Sequence, residues 1–164
     1  MARRAGQRNS VTVRPLAPHD FDFIRSLAST ISGYTVCSPY LLWMLGKFQG
    51  SLCCVAMDAE KTQLGYLLAI PTSEPPNCIF VWQLATTFRG KRLKAQYHLA
   101  RHLRRVMRDR GARKLFYTSV PLSSAERSVR TIASQVFHAT PERKLRVPDS
   151  ESREFEYVLY PSIE

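Results

Sequence analysis

The chain contains Ile79-Phe80-Val81-Trp82-Gln83-Leu84-Ala85-Thr86, a nearly continuous apolar run, and Arg89-Gly90-Lys91 follows shortly after it. A short run that is apolar almost throughout predicts a strand at the centre of a sheet, with both faces buried. The amphipathic stretch over residues 95–110 then predicts a helix that ends at Gly111. The middle of the sequence is therefore expected to be a central strand, a basic turn and a helix.

Hydrophobic periodicity predicts further elements on both sides of this segment. They are a strand over 11–14, helices over 20–31 and from Pro39 to Gly50, strands over 52–57 and 64–70, a strand over 114–120, a helix over 123–137 and a strand over 155–159. The order predicts an α+β fold with a mixed, mostly antiparallel central sheet flanked by helices. We expect one domain over residues 11–164, preceded by a disordered basic tail over residues 1–10.

The charge balance of the chain is strongly basic. Among 164 residues, 24 are Lys or Arg and 13 are Asp or Glu, which gives a formal net charge of +11. Such a surface attracts polyanions, although a basic surface can also serve solubility alone. The sequence lacks an apolar stretch long enough to span a membrane and a signal-peptide core, so we expect a cytoplasmic protein.

The cysteines do not have the spacing of metal ligands. The chain has four of them, without a CxxC pair or a histidine at zinc-ligand spacing, and we predict no metal site. Reduced packing residues are the expected alternative. Cys53 and Cys54 are adjacent on a predicted strand, so we expect them to point to opposite faces, with one in the core.

Three segments resemble the diaminobutyrate acetyltransferases of ectoine biosynthesis, a branch of the GNAT acyltransferase family. They are Ile79 to Ala85 with its Phe-Val-Trp-Gln motif, the turn Arg89-Gly90-Lys91, and Ser38-Pro39-Tyr40-Leu-Leu-Trp43. The resemblance covers residues 11 to 137. It implies the GNAT fold and an enzyme that joins an activated acyl group to the amine of a small-molecule acceptor.

The resemblance also implies where the two substrates bind. The acceptor site would include Trp82, Tyr40 and Thr35, and Thr35 stands where the relatives have an aspartate. The donor site would be formed by the backbone of the central strand, the turn after it and a residue of the last helix. These donor residues are Gln83, Leu84, Ala85, Arg89, Gly90, Lys91, Arg92, Lys94 and Arg130. Arg130 occupies the position that appears equivalent to a catalytic tyrosine of many GNAT proteins.

The turn departs from the family pattern at both of its expected small positions, which here are Arg92 and Lys94. Long cations at these positions would crowd a pyrophosphate that is bound against the backbone. The next helix adds a basic face, which is formed by Lys94, Arg101, Arg104, Arg105 and Arg108. This face predicts binding to a phosphate backbone. The sequence therefore favours aminoacyl-tRNA as the acyl donor, and no tightly bound cofactor is expected.

Several alternatives stay open at the level of sequence. The donor could be an ordinary acyl-coenzyme A or an acyl group on an acidic carrier protein, and the chain could be a non-catalytic RNA-binding module. The catalytic acid and base are not identified, since His98 and His102 lie on the basic helix as surface residues. Ser123 and Glu126 predict a capping box. Tyr117 and Ser119 could supply a proton relay, and the oligomeric state is not indicated.

Overall fold

The computed structural model describes residues 10–73, 77–148 and 154–162. Its strands are β1 (Thr12–Pro15), β2 (Cys53–Met57), β3 (Gln63–Pro71), β4 (Cys78–Thr86), β5 (Lys114–Ser119), β6 (Glu142–Arg146) and β7 (Phe155–Leu159). Its helices are α1 (Phe21–Ser29), α2 (Pro39–Gln49), α3 (Phe88–Arg92), α4 (Ala95–Asp109) and α5 (Ser124–Ile132). Residues 1–9 lie outside the described part, so the disordered tail over 1–10 stays a prediction.

The strands form one mixed seven-stranded sheet in the order β1-β2-β3-β4-β5-β7-β6. β4 and β5 are parallel, whereas β1 with β2, β2 with β3, β5 with β7 and β6 with β7 are antiparallel. The predicted α+β class and mixed, mostly antiparallel sheet flanked by helices are confirmed. The apolar segment Ile79 to Thr86 lies in β4, which is the middle strand of the order.

The chain divides into two compact units. The first comprises residues 1–68 and 83–102, and its core includes the fully buried side chains of Leu42, Leu52 and Tyr66. The second comprises residues 69–82 and 103–164, and Phe80 packs in it against a buried cluster of Cys78, Phe116 and Val158. The single domain over residues 11–164 stays a prediction.

Two elements were missed by the sequence prediction. β6 has the sequence Glu-Arg-Lys-Leu-Arg and is exposed along its whole length, so it carries no apolar alternation. It pairs with β7 only, at the edge of the sheet, where charged side chains discourage pairing with other molecules. α3 has only five residues, too few for a helical period. The predicted helix over 123–137 is α5 followed by a π-helical turn, Ala133–Phe137.

All four cysteines are free and buried, as predicted for packing residues. The prediction that only one of Cys53 and Cys54 lies in the core is wrong, because both side chains are fully buried. β2 is buried from Cys53 to Ala56, so both of its faces are covered. Burial raises the pKa of the Cys54 thiol well above its usual value, which keeps it protonated.

Within the described residues, none of the helices combines the length and the apolar character needed to cross a membrane.

Candidate functional site

The pairing of β4 with β5 covers only the first part of β4. Cys78 to Val81 pair with Lys114 to Tyr117, and the register ends at Val81 and Tyr117. β4 itself continues to Thr86. Backbone groups of a strand that runs past its partner are free to bind another extended chain. The resemblance places the acyl donor along this backbone, and that role stays a prediction.

Side chains of β4 alternate in burial beyond this point. Gln83 and Ala85 are buried, whereas Trp82 and Leu84 are half-buried. Of the neighbours Trp82 and Gln83, only Gln83 has a buried side chain. Trp82 is not sealed in the core, so its place in the acceptor site stays a prediction.

Gln83 is held in a fully used hydrogen-bond network in the first unit. Its Oε1 accepts from the Tyr66 hydroxyl at 2.9 Å, and its Nε2 donates to the Thr35 carbonyl at 2.8 Å. The Tyr34 hydroxyl donates to the Leu84 carbonyl at 2.7 Å. The network ties the loop before α2 to β4. The side chain of Gln83 is thus occupied inside the protein, and only its backbone could meet a donor.

The turn after β4 begins with a side-chain cap. Thr87 accepts a hydrogen bond on Oγ1 from the Gly90 N–H at 2.9 Å, and its own N–H donates to the Leu64 carbonyl at 2.9 Å. A Cβ on Gly90 would lie 2.1 Å from that same carbonyl oxygen. Glycine is therefore required because α3 lies directly against β3.

The cations of this turn point in two directions. Arg89 contacts Asp58 at 2.6 Å and Glu60 at 3.2 Å, so its charge is neutralised in the β2–β3 connection. Lys91, Arg92 and Lys94 are exposed. Lys94 also has a φ of 56°, in the left-handed region that glycine adopts more easily. The backbone at position 94 therefore has a conformation that suits a small residue, although the residue there is a lysine.

The predicted acceptor residues of the loop and of α2 are exposed. Tyr40 is 69% exposed, and its ring stacks on Trp43 at a centroid distance of 5.9 Å. Phe48 packs edge-on against Trp43 at 6.2 Å. Thr35 contributes its carbonyl to Gln83, and its side chain is exposed. The acceptor roles of Tyr40 and Thr35 stay predictions.

A second polar cluster lies in the second unit, on α5. Ser123 accepts the Glu126 N–H at 3.0 Å, which confirms the first half of the predicted capping box. The second half is wrong, because the Ser123 N–H donates to the Val120 carbonyl and not to Glu126. The Glu126 carboxylate accepts from Arg130 Nε at 2.8 Å and from the Leu122 N–H at 2.5 Å. Burial opposes ionisation of Glu126, but these hydrogen bonds outweigh it and lower its pKa. Arg130, expected to contact the donor, is thus already paired, and that role stays a prediction.

Two stacked tyrosines lie beside this pair. The rings of Tyr117 and Tyr157 have centroids 5.1 Å apart and are nearly parallel, and the Arg130 guanidinium lies 5.8 Å from the Tyr157 centroid. Both hydroxyl groups are buried, and neither has a hydrogen bond of good geometry among the described residues. The sequence had suggested Tyr117 as part of a proton relay, and that role stays a prediction; its burial is visible only in the fold.

The predicted basic face of α4 is largely exposed. Arg101, Arg105 and Arg108 are exposed, whereas Arg104 is half-buried and donates to the Ser162 carbonyl at 2.8 Å. His102, expected at the surface, is half-buried with Nε2 2.9 Å from the Ser51 carbonyl oxygen. Burial, helped by the nearby Arg101 charge, lowers the pKa of His98. Within residues 10–73, 77–148 and 154–162 we find no cluster of three or more metal-ligating side chains.

Comparison with known proteins finds similar solved structures but no matching family model or curated sequence. No protein-family model matches the chain, and no curated protein matches it in sequence. Among solved structures, the chain is similar to the diaminobutyrate acetyltransferase EctA from Paenibacillus lautus, solved with L-2,4-diaminobutyric acid and coenzyme A. The TM-score is 0.74 at 22% identity, over 93% of this chain and 95% of that one.

Two further solved structures are similar at lower sequence identity. Chaetomium thermophilum Naa20, solved with a bisubstrate analogue, gives a TM-score of 0.72 at 15% identity, over 92% of this chain and 86% of that chain. Ard1 from Thermoplasma volcanium gives 0.70 at 15% identity, over 92% and 95%. At these identities the similarity shows a common fold.

Proposed function

We propose that this chain, which has the GNAT acyltransferase fold, transfers an acyl group from an acyl-coenzyme A to the amine of a small molecule. The fold likeness extends over nearly the whole chain, and the similar EctA structure contains both coenzyme A and an amine substrate. The proposal therefore replaces aminoacyl-tRNA, the donor favoured from the sequence, with the alternative that fits these neighbours better.

The observation that carries the proposal is the conformation of the turn after β4. Lys94 stands at the sixth position of the family pattern, where a small residue is usual, and adopts a φ of 56°. The backbone of the turn thus has a glycine-like conformation in spite of the substitution. The side chains of Lys91, Arg92 and Lys94 are exposed, so they can pair with phosphates from the solvent side.

Amide formation would need little besides positioning and proton transfer. The acceptor amine loses its proton, attacks the thioester carbonyl carbon, and displaces the thiolate of coenzyme A. β4 continues past its register with β5 from Trp82 onward, and its backbone there would bind the amide-rich arm of the donor, apart from the Leu84 carbonyl, which already accepts from Tyr34. Trp82 and Tyr40 are the acceptor-side candidates, because both are at least partly exposed.

The test is an assay of thiol release from acetyl-coenzyme A with a panel of amines: L-2,4-diaminobutyric acid, putrescine, spermidine and short peptides with free N termini. Saturable turnover with at least one amine, with the amide product identified by mass, is the expected result. Arg92→Glu should raise the KM for acetyl-coenzyme A about tenfold. Lys47→Glu is the matched control, because Lys47 is equally exposed on α2, and it should leave the KM unchanged. No turnover and no binding of acetyl-coenzyme A would contradict the proposal.

One observation favours a second candidate, in which the acyl group is carried by a polyanion such as aminoacyl-tRNA. It is the row of exposed arginines on α4. Replacing Arg101, Arg105 and Arg108 together with Ala would then reduce turnover with aminoacyl-tRNA and lower its salt dependence. Under the favoured proposal, the triple variant keeps its turnover with acetyl-coenzyme A, and aminoacyl-tRNA supports none in either protein.

A further inference from the structure

The connection between β2 and β3, in the first unit, holds a buried carboxylate in a fixed place. Asp58 is only 3% exposed, and its Oδ1 accepts a hydrogen bond from the Thr62 N–H at 2.8 Å. The backbone of this connection is closed by two further bonds. The Asp58 N–H donates to the Thr62 carbonyl at 3.0 Å, and the Lys61 N–H donates to the Asp58 carbonyl at 3.1 Å. One carboxylate oxygen is thus used by the connection itself, and Oδ2 is left for a partner outside it.

Arg89, the second residue of α3, is that partner. Its Nη2 lies 2.6 Å from Asp58 Oδ2 without the geometry of a hydrogen bond, so the contact is an ion pair. The same Nη2 donates to Glu60 Oε2 at 3.2 Å. A buried carboxylate is stable only when a charge or hydrogen bonds compensate it. Asp58 therefore holds the Arg89 side chain in place, although that side chain is 55% exposed.

α3 is also held directly against β3. The Thr87 N–H donates to the Leu64 carbonyl at 2.9 Å, and the Gly90 backbone lies so close to the same carbonyl that a Cβ would clash with it. The end of α3 is tied to its start, because the Leu93 N–H donates to the Arg89 carbonyl at 3.0 Å. α3 therefore has two anchors in the first unit: the backbone of β3, and the β2–β3 connection through Arg89.

The exposed cations of the proposed phosphate site lie on α3 or directly after it. Lys91 and Arg92 belong to α3, and the Lys94 N–H donates to the Lys91 carbonyl at 3.1 Å. The positions of these cations therefore depend on where α3 is held. Arg89 is different from them, because a phosphate would have to compete with two carboxylates for its Nη2.

We infer that Arg89 is a positioning residue of the donor site and not a phosphate ligand; this rests on the proposed function. Its ion pairs with Asp58 and Glu60 fix α3. In that position α3 presents Lys91 and Arg92 to the phosphates of the acyl-coenzyme A. Two carboxylates, which would repel the donor if they acted on it directly, thereby support its binding. Removal of either negative charge should weaken the binding of this polyanion, whereas the direct electrostatic effect alone would strengthen it.

The test is a calorimetric titration of Asp58→Asn and Arg89→Gln with acetyl-coenzyme A at physiological salt. We expect the Kd to rise about tenfold in each variant, and by no more in the double variant, because all three lose the same ion pair. The asparagine amide keeps an oxygen for the Thr62 N–H, so the connection itself is retained. Lys61→Gln is the matched control. It removes an exposed charge from the same connection, and its Kd should stay within about twofold of wild type.

An unchanged or lower Kd in Asp58→Asn would overturn the inference, and a weakened Arg89→Gln beside it would show that Arg89 binds the phosphates directly. Fewer binding sites per chain at an unchanged Kd would also overturn it, since the ion pair would then only stabilise the fold. If Asp58→Asn does not fold, Glu60→Gln decides, because Glu60 is 54% exposed; its Kd should rise about threefold, and no rise would overturn the inference. A wild-type protein that does not bind acetyl-coenzyme A would instead overturn the proposed function and this inference with it.

Discussion

Tyr66 and Tyr117 are both buried tyrosines on central strands, but their hydroxyl groups have opposite environments. The Tyr66 hydroxyl donates to Gln83 at 2.9 Å, and every polar atom of the Gln83 amide group is used. The Tyr117 hydroxyl has no acceptor among the described residues. Burial raises the pKa of both phenols, so both stay protonated donors. The difference separates a hydroxyl that joins distant segments of the fold from one that is buried without an acceptor.

The largest loss of stability in the unit that contains Tyr66 is expected from a substitution at Gly90. A Cβ there would lie 2.1 Å from the Leu64 carbonyl oxygen on β3, the strand that also carries Tyr66. Gly90→Ala should therefore lower the free energy of unfolding by about 3 kcal/mol, measured by urea denaturation. Gly33→Ala is the control. Its φ is 84° with nothing within 4 Å of the new Cβ, so only conformational strain of about 1 kcal/mol applies.

The second largest effect on stability is expected when each of the two tyrosines is replaced with phenylalanine. Tyr66→Phe leaves the Gln83 amide oxygen buried without a donor, and we expect a loss of about 2 kcal/mol in unfolding free energy. Tyr117→Phe removes a buried hydroxyl that has no partner, so its unfolding free energy should not fall and should rise by about 1 kcal/mol. Losses of the same size in the two variants would show that the hydroxyl of Tyr117 also supports the fold.

The smallest expected effect is on stability at acid pH, which depends on two buried carboxyl groups, Asp20 and Glu126. Asp20 is fully buried; burial opposes its ionisation, but hydrogen bonds from Arg14, the Ala17 N–H and Gln63 outweigh it and lower its pKa. Its stabilising contribution is therefore complete above about pH 4 and is lost as the pH falls through the lower folded value. The pKa of Glu126 is lowered as well, with the same sign.

Asp20→Asn and Glu126→Gln should each flatten the fall in unfolding free energy between about pH 4 and pH 2, by an amount on the order of 1 kcal/mol. The effect should be larger for Asp20, because its partner Arg14 is 27% exposed whereas Arg130 is 45% exposed, and solvent screens the second pair more. Unfolding curves at several pH values check this. An unchanged acid limb in both variants would show that these carboxylates do not contribute as described.

The sequence predicted those parts of the fold that depend on local periodicity. β4 and α4 are long and strongly patterned, and both lie where the apolar residues placed them. β6 could not be found, because its single apolar residue, Leu145, is exposed and the strand exists only through pairing with β7. Burial of both Cys53 and Cys54 was also out of reach, since it depends on what covers the two faces of β2.

The candidate site was predicted less well than the fold, because it too depends on contacts between segments that are distant in sequence. The motif around Gln83 was recognised, but its amide group serves Tyr66 and Thr35, which come from distant segments. Arg89 likewise pairs with Asp58 and Glu60 in the β2–β3 connection. The sequence shows which residue types are present. Only the folded chain shows which of them are already hydrogen-bonded or paired, and which remain available to a substrate.

The most direct test of the account is a calorimetric titration of the wild-type protein with acetyl-coenzyme A at physiological salt, with deacylated tRNA as the competing titrant. The account predicts saturable binding of one acetyl-coenzyme A per chain, unaffected by tRNA and weakened in Arg92→Glu but not in Lys47→Glu. No heat of binding for acetyl-coenzyme A, together with saturable binding of tRNA, would contradict it.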